Sequence, residues 1–143
     1  MNNKEVVRRQ LDQVYNHGNY DVLDKHLSPT ATLHEMNTAH VGVESIKQFA
    51  RNLRTAFPDL RMEVEHIIEE DDWVALTWKA SGTHRGNMFG IAPTGKFATV
   101  TGQSMYKLDD QRITEAWVQW DVLTMLREMN VELPIKLDVE VPA

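Results

Sequence analysis

The stretch LRMEVEHIIEEDDWVALTWKASGTH, residues 60–84, decides the fold. Its first half alternates. Leu60, Met62, Val64, His66 and Ile68 are separated by Arg61, Glu63, Glu65 and Ile67, the period of two that turns one face of a strand inward. Asp71-Asp72 then makes a tight turn, and residues 73–84 read as a second long strand. The acids from Glu69 to Asp72 belong to a solvated turn, because burying them unpaired would be too costly.

Toward the C-terminus, Gly86, Gly90 and APTGK (residues 92–96) form a connection, in which Pro93 pre-sets a turn and Gly95 accepts left-handed backbone. A third strand is expected over Phe97–Leu108. Asp109-Asp110-Gln111 turns the chain into the last strand, ITEAWVQWD, residues 113–121. Val122, Leu123, Leu126 and Met129 predict a short final helix.

Toward the N-terminus, Val7, Leu11, Val14 and Tyr15 fall on one side of a helix over Lys4–His17, which Gly18 ends. A second helix, Tyr20–His26, stops at Ser28-Pro29, and ATLHEM (residues 31–36) reads as a strand. A third helix begins in GVESIKQFARNLRTAF, burying Ile46, Phe49, Ala50 and Leu53. Helices followed by long antiparallel strands argue for one α+β domain over residues 1–130, with 131–143 as a tail. A strongly curved, mostly antiparallel sheet with helices over its concave face leaves a cone-shaped cavity.

The 143 residues suffice for one core without disulfides, and the absence of cysteine excludes thiolate metal sites and cysteine nucleophiles. A formal charge of -6 offers no electrostatic case for nucleic acid or an anionic membrane. The start, MNNKEVVRRQ, lacks an apolar run, and no segment reaches membrane-spanning length, so a cytoplasmic protein is expected. No histidine pair has helical ligand spacing and no phosphate-binding glycine pattern occurs, so neither metal nor cofactor is expected.

If the last strand stays regular, Trp117, Gln119 and Asp121 share one face, and pairing across the Asp109 turn sets Gln103 and Met105 beside them. Placed inward, these residues would form an apolar site with a few convergent polar atoms. Asp121 could then lose water and act as a base toward a carbon acid. It could equally cap the next helix, which would favour its charged form. His34 and His84 are candidate acid–base partners, and His66 is a candidate wall residue. His17, His26 and His40 read as structural. Trp78, alternating with Leu76 and Ala80, packs first and contacts substrate second. Trp120, Val118, Tyr106 and Val122 fall to the outer face, where so much apolar surface predicts a homodimer or homotetramer.

GVESIKQFARNLRTAFPDLRMEVE, SGTHRGNMFGIAPTGKFATVTGQSMYKLDD and RITEAWVQWD give the chain its family likeness. It resembles the SnoaL-like polyketide cyclases of the nuclear-transport-factor-2-like superfamily over roughly residues 10–130. The resemblance implies an α+β cone and a cofactor-free ester cyclase. Such an enzyme closes a ring of a hydrophobic polyketide by enolate formation and intramolecular aldol condensation. It also implies that Asp121, at the matching WxxxD position, is the acid–base. No histidine occurs in residues 97–121, which departs from the cyclase pattern. Isomerases, dehydratases, hydrolases and non-catalytic binding domains share this superfamily.

Overall fold

A computed structural model describes residues 1–132 of the chain. Helix α1 spans Asn3–Leu11. Asn2 caps it reciprocally: its side chain accepts the Glu5 N–H at 2.9 Å, while the Glu5 carboxylate accepts the Asn2 N–H at 3.0 Å. The helix runs directly into a π-helical turn, Asp12–Asn16, so the helix expected over Lys4–His17 is one rod with a widened last turn. Gly18, at φ 67, ends it. Asn16 fixes the rod to the sheet, its amide donating to the Met62 carbonyl at 2.9 Å and accepting the Met62 N–H at 2.6 Å.

Helix α2 is short, Val22–His26, and α3 spans Val43–Ala56. Strand β1 is Leu27–Glu35, longer than expected, with Pro29 falling where its pairing is interrupted between Leu27 and Thr32. Strand β2, Thr38–Val41, was not anticipated. Met36 and Asn37, at φ 46 and 60, make a two-residue hairpin turn, so His40 lies in a strand rather than in a polar turn. The remaining strands are β3 (Arg61–Glu70), β4 (Trp73–Thr83), β5 (Phe97–Asp109) and β6 (Arg112–Trp120), followed by helix α4, Val122–Glu128.

The sheet order is β2-β1-β6-β5-β4-β3, antiparallel except for the parallel β1–β6 pair. The sheet is curved and unclosed, and the helices pack on its concave side. Val6, Val7, Leu11 and Val14 of the rod meet Val74, Leu76, Leu108 and Ile113 of the sheet. Each such side chain, fully buried, contributes about 1.5–3 kcal/mol. The α+β cone is as expected. Of the expected tail, residues 133–143 lie outside the described residues.

Two β-bulges decide which face each strand presents. In β6, Leu108 pairs with Ile113 but Lys107 pairs with Glu115, leaving Thr114 as the extra residue. In β3, Val64 pairs with Trp78 but His66 pairs with Thr77, leaving Glu65 extra. Beyond each bulge the inward parity reverses, because the side-chain period is two.

Candidate functional site

The concave side encloses an apolar hollow of about 80 Å³. The rod supplies Leu11 and Tyr15, α3 supplies Phe49 and Leu53, and the sheet supplies Trp78, Ser104, Tyr106, Val118 and Trp120. Trp78 and Ser104 satisfy each other, the indole N–H donating to Oγ at 3.0 Å. Burial pushes the Tyr106 phenol up to about 12, although hydrogen bonds with Ser104 and Gln10 oppose the rise. Tyr15 is raised further, by burial first and then by the fields of Tyr106, Glu35 and Tyr20. An ordinary phenol is already protonated at neutral pH, and burial widens that margin, so both keep an O–H.

A polar cluster packs against two wall residues of the hollow, Phe49 and Trp120. Glu35 is the last residue of β1, and His40 sits across the hairpin, opposite Leu33. Leu33 is buried in the core, so Glu35 and His40, in register with it on the same face, also belong to the concave side. The His40 Nε2 lies 3.2 Å from Glu35 Oε1, and the Trp120 indole donates to Glu35 Oε2 at 3.2 Å. The His40 ring packs against Phe49, with centroids 4.9 Å apart, and Phe89 packs against Trp120 at 5.9 Å. The sequence reading passed over Glu35 and gave His40 a structural role. The signal for both was the EMNTAH stretch, whose Met36-Asn37 turn sets an acid and an imidazole side by side.

Most residues expected in the hollow lie on the opposite face. The predicted pairing is correct, Gln103 opposite Gln119 and Met105 opposite Trp117, but the bulge at Thr114 turns Trp117 and Gln119 outward, and the alternation of β5, which buries Ser104 and Tyr106, points Gln103 and Met105 the same way. Trp117 stacks on His34 (5.5 Å, 18° between planes) and meets Trp73 at 5.7 Å on the convex surface. His34 Nε2 is 2.7 Å from Glu115 Oε2, also on that surface. Conversely, Val118, Trp120 and Tyr106, expected outside, line the hollow, and Val122 packs partly buried beside Met125. The outer apolar surface is instead made by Trp73, Met105 and Trp117.

His66 is exposed, turned out by the bulge at Glu65, and bonds Thr77 Oγ1 at 2.9 Å. His84 is fully buried and packs on Phe57. Its Nδ1 accepts the Thr94 N–H at 3.1 Å, which places the ring hydrogen on Nε2 and uses the side chain to hold the APTGK connection. Trp78 does line the hollow, as a wall hydrogen-bonded to Ser104.

Asp121 is exposed and caps α4. It accepts the Thr124 O–H at 2.6 Å and the Thr124 N–H at 3.1 Å. These bonds, with Arg127 nearby, hold its carboxyl below the ordinary 3.8. It borders a shallow outer groove with Glu65, Thr77, Gln103 and Gln119. Asp121 therefore has the capping place of the alternative reading, and a charged, solvated cap is a poor proton acceptor. Among the described residues, no three His, Asp or Glu side chains cluster to hold a metal ion.

The family model for SnoaL-like polyketide cyclases matches residues 5–129. The chain belongs to the SnoaL-like polyketide cyclase family. Among curated proteins, none matches the sequence. A structure from Jannaschia sp. CCS1, named as a candidate SnoaL-like polyketide cyclase, is 25% identical, with a TM-score of 0.84 over 92% of this chain and 93% of that one. IdmH from Streptomyces antibioticus, named as a candidate polyketide cyclase, is 26% identical, with a TM-score of 0.78 over 92% and 100% of the two chains. AclR from Streptomyces galilaeus, named as a candidate hydroxylase, shares the fold at 24% identity and a TM-score of 0.78, over 90% and 95% of the two chains. The SnoaL-like cone thus carries names from more than one reaction class.

Proposed function

We propose that this SnoaL-like protein is a proton-transfer enzyme of the cyclase or isomerase type, acting on a compact, largely apolar carbonyl compound held in the cone. The observation that carries the reading is an apolar hollow lined by two phenols, Tyr15 and Tyr106, whose O–H groups stand among apolar side chains. An enolate oxygen forming beside such a donor is stabilised more strongly than in water, because little solvent competes. A volume of about 80 Å³ favours a substrate of one or two rings over a larger polycycle, since drug-sized sites run to about 300–1,000 Å³. Asp121 as the base, the expectation from the family pattern, has no support in this geometry.

The test uses β-tetralone, a compact cyclic ketone with acidic carbon-bound protons. Quenching of Trp78 and Trp120 fluorescence reads binding, and proton NMR in deuterated water reads exchange next to the carbonyl. The native protein is expected to bind it and accelerate exchange, and Val100→Phe, which fills the hollow, to do neither. Binding without exchange would make the protein a carrier and remove the enzyme reading.

We further propose that copies of the chain associate through the convex surface bearing Trp73, Met105 and Trp117. Sedimentation should give a mass above the monomer for the native chain and a monomer for Trp117→Lys. A native monomer ends this proposal.

A further inference from the structure

We propose that His40 is the acid–base group of this site and that Glu35 is its positioning residue. The inference rests on the reading that the hollow holds a carbonyl substrate, and it names the group that moves the proton.

The tautomer follows from the partner. A carboxylate has only acceptors to offer, so the 3.2 Å contact between His40 Nε2 and Glu35 Oε1 places the ring hydrogen on Nε2. Nδ1 then carries a lone pair, with no partner among the described residues. Glu35 cannot readily swing away, because its other oxygen accepts the Trp120 N–H at 3.2 Å. A base held in one tautomer by a fixed carboxylate is the arrangement that general-base chemistry needs. The side chains are 21% and 11% exposed, sheltered without being sealed.

Both anchors of the pair belong to the cavity wall. Phe49, against the imidazole, and Trp120, on the carboxylate, line the hollow. Tyr15 lines it too and lies close enough for the Glu35 charge to raise its phenol. The other histidines lack this combination. His34 and His66 are on the convex side, His17 is exposed, and His84 has its Nδ1 committed to Thr94. His26 is buried beneath the rod, and its imidazole is lowered by burial and then by Lys25 and Arg9, which favours the uncharged ring.

The step is a proton transfer. His40 Nδ1 takes a proton from the carbon next to the carbonyl. The C–H electron pair becomes the C=C bond of the enolate, and the carbonyl π pair moves onto oxygen, where the Tyr15 hydroxyl can donate. The imidazolium is paired with the Glu35 carboxylate. It then either swaps that proton for a solvent deuteron and delivers the deuteron to the same carbon, giving exchange, or returns the proton to another atom, giving isomerisation.

Exchange of β-tetralone protons is measured with the full-length native chain, His40→Gln, His40→Ala, Glu35→Gln and Asp121→Asn. The expected result is a limiting rate at least about 100-fold lower in both His40 variants, with tetralone affinity unchanged. Added imidazole should restore part of the rate in His40→Ala. Glu35→Gln should lower the limiting rate by a smaller factor without changing KM, and Asp121→Asn should exchange at the native rate. Native acceleration that survives His40→Gln overturns this inference and leaves the proposed function standing. Loss in His40→Ala without imidazole rescue also overturns it, by making the role structural. If the His40 variants do not fold, the split between limiting rate and KM in Glu35→Gln decides. A native protein that does not accelerate exchange overturns the proposed function and this inference with it.

Discussion

Trp78 lies across Gly102, its partner in the β4–β5 ladder, and a Cβ at residue 102 would collide with the indole ring. The glycine is what lets the indole lie flat, reach Ser104 and form the cavity wall. Gly102→Ala is expected to lower stability by about 1–3 kcal/mol, read by urea unfolding, and to weaken tetralone binding. Equal stability and affinity would contradict the close approach.

Ser104→Ala leaves the buried Trp78 N–H without its acceptor. A cost of about 1–3 kcal/mol is expected, and Ser104→Thr, which keeps the hydroxyl, should lose less.

The capping role of Asp121 separates two substitutions. Asp121→Ala removes both bonds to Thr124 and should cost about 0.5–2 kcal/mol in urea unfolding. Asp121→Asn, which retains an accepting oxygen at the cap, should stay much closer to native.

His84→Asn keeps an acceptor near the position of Nδ1, whereas His84→Gln does not. The Thr94 N–H that Nδ1 accepts predicts that Asn retains more stability than Gln. Hydrogen exchange at the Thr94 amide should rise in the Gln variant and less in the Asn variant.

Two carboxylates set an acid dependence. Bonds from the Thr83 N–H and O–H, helped by Arg85, hold Asp59 below the ordinary 3.8, and Thr124 does the same for Asp121. A folded value below the unfolded one means that the unfolded chain binds the proton more tightly. The stability these groups contribute is therefore present above pH 3.8 and is lost as pH falls through their folded values. Melting temperature should drop below about pH 4, less steeply in Asp59→Asn.

The strand count after residue 60, the turns at Asp71 and Asp109, and the pairing of Gln103 with Gln119 were legible because alternation and turn chemistry act locally. The faces were not, because one added residue reverses them and leaves no compositional mark of its own. Counting forward from Ile113, which is buried, points Trp117 inward; the extra Thr114 points Trp120 inward instead. The polarity of the strand did carry the answer, since Ala116, Val118 and Trp120 are all apolar while Glu115 and Gln119 are not. Similarly, Glu35 and His40 are five positions apart and become a pair only through the hairpin at Met36-Asn37.

Within the hollow, the indole of Trp78 and the hydroxyl of Ser104 already satisfy each other, which leaves Tyr15 and Tyr106 to meet a ligand's polar atoms. Trp78 would therefore grade ligands by bulk alone, and orientation would be imposed by the phenols. Lengthening the hydrocarbon end of a homologous series of ketones should move affinity and leave turnover flat, until the far end meets Trp78.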